Sequence, residues 1–271
     1  MIEETETSYP DIRQSWGIAG ICILSMVLLI PVSILLNPVA GKEASFLLYY
    51  LLAMGAAFYF AHCNRQKKTG VSEYNFGPGS ARIMVLVSIA VIALQTGIIT
   101  PLTGMVPMPE FMKNIFRELS GQNGVFTFLT LVIAAPIFEE LIFRGIVLDG
   151  LLKKYSPARS IFLSSILFGI VHLNPWQFIA AFVIGIFSGW IYYRTRKLSL
   201  SILIHAVNNL MAFISMSFLD GEAMLDKSLL ELYGGSLNLI LVIVGAVAVA
   251  AISIHYIRIE IKKTAIDFAS T

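Results

Sequence analysis

Apolar positions run through this chain in long unbroken stretches, with neither the two-residue alternation of a half-buried strand nor the polar stripe of a surface helix. Stretches long enough to span a bilayer, which takes about 20 residues, begin near Gly17, Ser45, Arg82, Gly124, Trp176, Ser199 and Ser236. A shorter one runs from Ile161 to Leu173. Backbone polar groups in lipid must be satisfied within each segment, so these stretches predict helices. The pattern therefore predicts an all-α polytopic membrane fold of about eight transmembrane helices. No remaining segment is large enough for a soluble domain with its own core, so residues 1–271 read as a single integral membrane domain. Between the third and fourth spans, VPMPEFMKNIFRELSG places Phe111, Met112, Ile115, Phe116 and Leu119 at helical spacing and predicts an interfacial helix. The acidic LDGEAMLDKSLLELYGG before the last span predicts a solvated loop with a short helix.

Composition agrees, with 57% hydrophobic and only 13% charged residues, about half the charged share of an ordinary soluble domain. The net charge of +2 says little by itself. The placement of the basic residues says more: with the segments between eight spans assigned alternately to two sides, 14 Lys and Arg fall on the side of both termini and four on the other. By the positive-inside rule both termini are expected in the cytoplasm. A missing or surplus helix would scramble that split. Trp16, Trp176, Tyr192, Tyr193 and Tyr256, near span ends, suggest an interfacial belt. The first span follows an acidic segment where a signal peptide would be basic, and is read as a retained helix. Cys22 and Cys63 both fall within spans, so their expected role is packing and no disulfide framework is implied.

Ionisable residues inside a membrane are costly and by default mark function. They are few here. Glu139, Glu140 and Arg144 lie in the fourth span, His172 ends the fifth, and His205, Asn208 and Asn209 lie in the seventh. His62 and His255, at span ends beside basic clusters, read as structural. In EELIFR, Glu140 and Arg144 are one turn apart and on one face, whereas Glu139 is rotated by about 100°. Glu140 and Arg144 are thus expected to neutralise each other as a structural ion pair, leaving Glu139 as the chemical group. Pro136 offers no N–H, so the carbonyl of Val132 is expected to lose its helical partner. On the seventh span His205 and Asn209 share a face, with Asn208 pointing elsewhere. His172 precedes an Asn-Pro turn signal, and Gly169 permits close helix approach.

A carboxylate and a neutral imidazole can deprotonate a water. A second imidazole and an amide can donate to the oxygen that becomes negative when that water attacks a peptide carbonyl. Such a set is a hydrolase site that calls for neither a serine nor a metal. EELIFRG, FGIVH and HAVNN, in that order, match the motifs EExxxR, FxxxH and HxxxN. Over Gly124 to about Leu219 the chain resembles the CAAX protease and bacteriocin-processing family of intramembrane glutamate endopeptidases, also called the Abi family, which includes the Ras-converting CAAX endopeptidases. The resemblance implies an eight-helix fold with a site open to the cytosol and a catalytic core over about 124–219. It also implies Glu139 as the base assisted by His172, His205 and Asn209 as the oxyanion-stabilising pair, no cofactor and no metal. The implied partner is a peptide or protein substrate, possibly prenylated, at the cell membrane.

Three rival readings follow from the same residues. Glu139, His172 and His205 supply a two-histidine, one-carboxylate zinc set, although no HExxH occurs. Intramembrane charges also serve proton relays in transporters, but no span shows the paired breaks of an inverted repeat. A non-enzymatic bacteriocin-immunity protein is the third. GIFSG, from Gly185 to Gly189, reads as a small-residue helix contact and Ser188 as a poor nucleophile. No phosphate loop or dinucleotide fingerprint is present, and no nucleic-acid binding is suggested. His172, about 15 residues beyond Pro157, would lie roughly 22 Å along an upright helix, deeper than Glu139. The fifth span must therefore tilt, begin outside the hydrocarbon or border a cavity past the midplane.

Overall fold

A computed structural model of the chain describes residues 8–218 and 225–269. These residues are helical with short connections and form no strand. Seven helices are long and apolar enough to cross a membrane: α1 (Ile12–Ala40), α2 (Lys42–Thr69), α3 (Ala81–Gly104), α5 (Val125–Leu152), α7 (Pro175–Thr195), α8 (Leu198–Phe218) and α10 (Ser236–Ala269). The short apolar stretch becomes α6 (Pro157–Ile170), of 14 residues. Two further helices, α4 (Glu110–Ser120) and α9 (Leu229–Tyr233), lie in the connections. The protein is an all-helical, multi-pass membrane protein. The interfacial segment is helical as expected, with Phe111 and Ile115 exposed. The side chain of Leu119 lies outside the described residues, as do residues 219–224 of the acidic stretch.

Local signals account for the helix ends that position the site. Asp11 and Gln14 form a capping box at the start of α1, Ser80 caps α3 and Gly70 closes α2 in the left-handed conformation. Asn174 caps α7, with Pro175 in its first turn. Packing then sorts the helices into centre and periphery. Half of the best apolar window of α5 and of α7 is buried within the protein, against 11% for α10. The apolar sides of α1 and α10 that remain uncovered, including Leu28, Leu35, Leu237 and Ile240, are the surface offered to lipid.

Polar pairs between helices fix the directions of the central ones. Tyr50 meets Glu139 and Arg65 meets Asp149, so α2 and α5 run parallel. Ser188 meets Glu140 and Arg196 meets Asp149, so α7 runs parallel to both. Two consecutive parallel helices need a return between them, and α6 with its following turn supplies it. Short as it is, α6 therefore keeps the alternation on which the charge count relied. Close packing makes the return fit. A Cβ at Gly169 would sit 2.7 Å from the Phe178 ring, one at Gly185 3.0 Å from Ser165, and one at Gly189 3.1 Å from Ile161, which confirms GIFSG as a close helix contact.

Candidate active site

The backbone of α5 departs from α-helical geometry on both sides of the two glutamates. Leu129–Ala134 and Leu141–Leu148 are π-helical, flanking an α-helical turn at Ala135–Glu140. Pro136 decides what the first of these exposes. The Ala135 N–H donates to the Thr130 carbonyl five residues back, and the next donor in that register would be residue 136, a proline with none. The carbonyl of Leu131 is thereby left without a backbone partner, and Asn209 donates to it through Nδ2 at 2.8 Å. In this five-residue register Pro136 frees the carbonyl of Leu131, where a four-residue register would free that of Val132.

Glu140 and Arg144 are wholly buried, and Arg144 Nη1 donates to Glu140 Oε1 at 2.9 Å. The expected ion pair is present, but Glu140 has other partners. Ser188 Oγ on α7 donates to Oε2 at 3.0 Å, and His205 Nδ1 on α8 lies 3.1 Å from Oε1. Glu140 therefore joins three helices. Among the described residues Arg144 has no acceptor for Nε or Nη2. Its guanidinium instead lies over the Phe168 ring, 4.5 Å from the centroid, where the ring face attracts the cation.

Glu139, on the next face, is the less enclosed of the pair, with 12% of its side chain exposed against none for Glu140. Its two oxygens differ. Tyr50 on α2 donates to Oε1 at 2.6 Å, a short bond of the charge-assisted kind. Oε2 is buried, has no hydrogen-bond partner among the described residues, and lies 3.9 Å from His205 Nε2. At that separation one water-sized oxygen can touch both groups. His205 is thus set between the carboxylates, Nδ1 to Glu140 and Nε2 toward Glu139.

His172 is placed differently. It lies beyond the end of α6, in the turn that leads to α7, and Leu173 adopts the left-handed conformation at φ 58°, which is rare outside glycine. Asn174 Nδ2 donates to the His172 carbonyl. The imidazole folds back onto its own helix, with Nδ1 2.9 Å from the Phe168 carbonyl. A carbonyl only accepts, so Nδ1 carries the proton in that pairing, and in the neutral ring Nε2 holds the lone pair. The Phe168 ring stands between the two imidazoles, 5.3 Å from His172 and 5.4 Å from His205, in edge contact with each.

Glu139, Glu140, Arg144 and His205 are therefore brought together, with Asn209 one turn along α8, whereas no hydrogen bond joins His172 to Glu139. The three donors of the zinc alternative do not converge: among the described residues, no group of three His, Cys, Asp or Glu side chains forms a ligand set.

Several residues have roles the sequence did not announce. Tyr50 and Ser188 bind the two glutamates from helices 89 and 48 positions away, and no local signature marks such pairs. Asn208, expected to point elsewhere, donates through Nδ2 to Asn209 Oδ1 at 3.3 Å. Trp176 and Tyr192, expected in the interfacial belt, are buried. Trp176 donates to the Val106 carbonyl, and Tyr192 donates to Asp149. Cys22 is buried and Cys63 partly so, both as free thiols. His62 Nδ1 pairs with the Tyr74 hydroxyl at the end of the bundle.

Comparison with known proteins finds the same segment. Residues 121–211 match the family model described as type II CAAX prenyl endopeptidase Rce1-like, and the stretch holds all three motifs. Over 77 residues the chain is 32% identical to the "Putative membrane peptidase YdiL" of Bacillus subtilis, covering 28% of this chain and 32% of the relative. Over 104 residues it is 30% identical to the "Uncharacterized 24.3 kDa protein" of Escherichia coli, covering 36% of this chain and 48% of the relative. The matches thus span about a third and about half of these relatives. No solved structure gives a significant match.

Proposed function

We propose that the protein is a CAAX-protease-like intramembrane endopeptidase of the glutamate type, cutting a peptide bond with an activated water. The observation that carries the reading is the buried cluster on α5 and α8, in which Glu139 keeps one oxygen unpartnered, 3.9 Å from His205 Nε2. A membrane protein does not leave a carboxylate in such a position for packing alone.

In the mechanism, Glu139 Oε2 takes a proton from water as the hydroxyl oxygen bonds to the scissile carbonyl carbon. His172, through the Nε2 of its neutral ring, assists by accepting a hydrogen bond from the same water. The carbonyl oxygen takes up the negative charge. His205 Nε2–H and the second Nδ2–H of Asn209, the one not given to Leu131, donate to it. In this state His205 donates from both nitrogens, Nδ1–H to Glu140 and Nε2–H to the oxyanion. With the water proton on Glu139, the Glu140 carboxylate and the oxyanion then face one guanidinium and one imidazolium, so the cluster carries no net charge. Collapse of the tetrahedral intermediate breaks the C–N bond, and the proton held by Glu139 passes to the departing amine.

The whole chain is assigned one membrane domain with its catalytic core over about 124–219. The substrate class is a peptide or protein held at the membrane, with prenylated C-terminal peptides favoured by the description of the matched family. The basic end of the bundle faces the cytoplasm of the cell, and substrate enters from there. The test is a cleavage assay in detergent on matched prenylated and unprenylated peptides, with wild type and Glu139→Gln, each with and without chelator. Glu139→Gln is expected to lower turnover by at least about 100-fold with an unchanged thermal unfolding midpoint. Near wild-type turnover in that variant would refute the assignment. Cleavage abolished by chelator would return the zinc reading, and solute transport into liposomes without cleavage the transporter.

A further inference from the structure

Glu139 is reached from outside the segment that the family comparison covers, and that contact has chemical content. The phenol of Tyr50 donates to Oε1 at 2.6 Å, while Oε2 has no hydrogen-bond partner. A free carboxylate presents two equivalent oxygens and can rotate between them. Here Oε1 is held, while Oε2, itself buried, has no hydrogen-bond partner among the described residues.

The design of α2 makes the contact possible. Its buried positions include Tyr50, Ala53, Met54, Ala57, Ala61 and Arg65, which recur at three- and four-residue spacing and so form one face. Three alanines on that face let α2 lie close to its neighbours, and across the next face a Cβ at Gly55 would sit 3.9 Å from the Phe138 ring. Phe138 immediately precedes Glu139. The face ends in Arg65, which meets Asp149 at 3.9 Å, so α2 is tied to α5 at both levels. Tyr50 is itself buried, and among the described residues its hydroxyl donates to Glu139 and to no backbone carbonyl. Tyr49, next in sequence, shows the ordinary alternative, donating to the Met26 carbonyl of α1 at 2.9 Å.

From this we infer that Tyr50 is a positioning residue of the hydrolytic site: its hydroxyl pins Oε1 of Glu139 so that Oε2 alone serves as the base. The inference rests on the assignment of Glu139 as base and adds a residue from α2 to that site. A pinned carboxylate loses rotational freedom before substrate arrives, and orientation of a reacting group within about 1 Å is worth up to about 100-fold in rate. The hydroxyl does not meet the substrate, so its loss should be felt in turnover and not in binding.

The experiment is steady-state cleavage by wild type, Tyr50→Phe, Tyr49→Phe and Glu139→Gln, with thermal unfolding measured on each purified protein. Tyr50→Phe removes one oxygen and keeps the ring. It is expected to lower kcat about 10- to 100-fold, with KM within about twofold and an unchanged unfolding midpoint, whereas Tyr49→Phe keeps wild-type kcat. A kcat for Tyr50→Phe within about twofold of wild type, beside an inactive Glu139→Gln, would overturn the role of Tyr50 and leave the base assignment standing. A raised KM with normal kcat would make Tyr50 a substrate contact and overturn the inference too. A Tyr50→Phe protein that no longer folds would do the same, because the hydroxyl would then build the site rather than aim it. If Glu139→Gln is active, the base assignment fails first, and the inference falls with it.

Discussion

Two adjacent glutamates with unlike surroundings set the chemistry at the residue scale. Glu140 is enclosed by Arg144, Ser188 and His205, while Glu139 has one bound and one unpartnered oxygen. Their separation was legible in the sequence, since i, i+4 spacing pairs Glu140 with Arg144 and turns Glu139 away. What the spacing could not convey is that Glu140 also carries His205, because a helix-to-helix contact 65 residues apart leaves no local mark. This second task separates stability from activity. Glu140→Gln leaves Arg144 as a buried uncompensated cation and is expected to destabilise the protein by about 3–5 kcal/mol, read as a fall in unfolding midpoint in detergent. Adding Arg144→Met removes the stranded charge and should recover most of that stability, as paired replacement of buried ions does elsewhere. Activity should not return with it, because His205 still lacks the carboxylate at Nδ1. Recovery of both would reduce Glu140 to a counter-ion.

At the scale of the element, α5 is instructive because its register, not its residues, aims the neighbouring helix. Sequence showed that Pro136 would orphan a carbonyl, and in the five-residue register set by the Ala135 N–H the Leu131 carbonyl is one that it frees. A π-helical turn has no clear residue signature, so the five-residue register was invisible beforehand, and with it the partner of Asn209. Such turns recur at functional sites. The same limit hid the placement of His172: the run of apolar residues continues to Leu173, but α6 stops at Ile170 and the imidazole sits in the turn. Pro136→Ala tests the role of register directly. It restores an N–H that can bond to Leu131, releases Asn209 from that carbonyl, and is expected to lower kcat about 10-fold with equal or higher unfolding midpoint. An unchanged kcat would mean that Asn209 is aimed by Asn208 alone.

Across the whole molecule, the two ends are chemically distinct and the parallel run of α2, α5 and α7 connects them. At one end Asp149 gathers Arg65, Lys153 and Arg196. At the other, Lys113 and Arg117 hold Asp226, while Lys42 meets Glu118, which ties α4 to its neighbours. Seven of the eight expected spans are helices long and apolar enough to cross a membrane, legible because hydropathy follows from the membrane itself, whereas the expected fifth, α6, has only 14 residues and yet keeps the alternation. The belt was less legible, since Trp176 and Tyr192 at span ends look alike whether they meet lipid or, as here, a buried acceptor. If the basic end is cytoplasmic, single cysteines replacing Lys154 and Lys227, in a chain whose Cys22 and Cys63 are alanine, should differ in access. Lys227 is exposed on the α4 side and Lys154 near Asp11 at the basic end. A membrane-impermeant maleimide applied to intact cells should label the cysteine at 227 and reach that at 154 only after permeabilisation. Labelling of both from outside would contradict the span count, and the reverse order would place the site's entrance on the opposite face of the membrane.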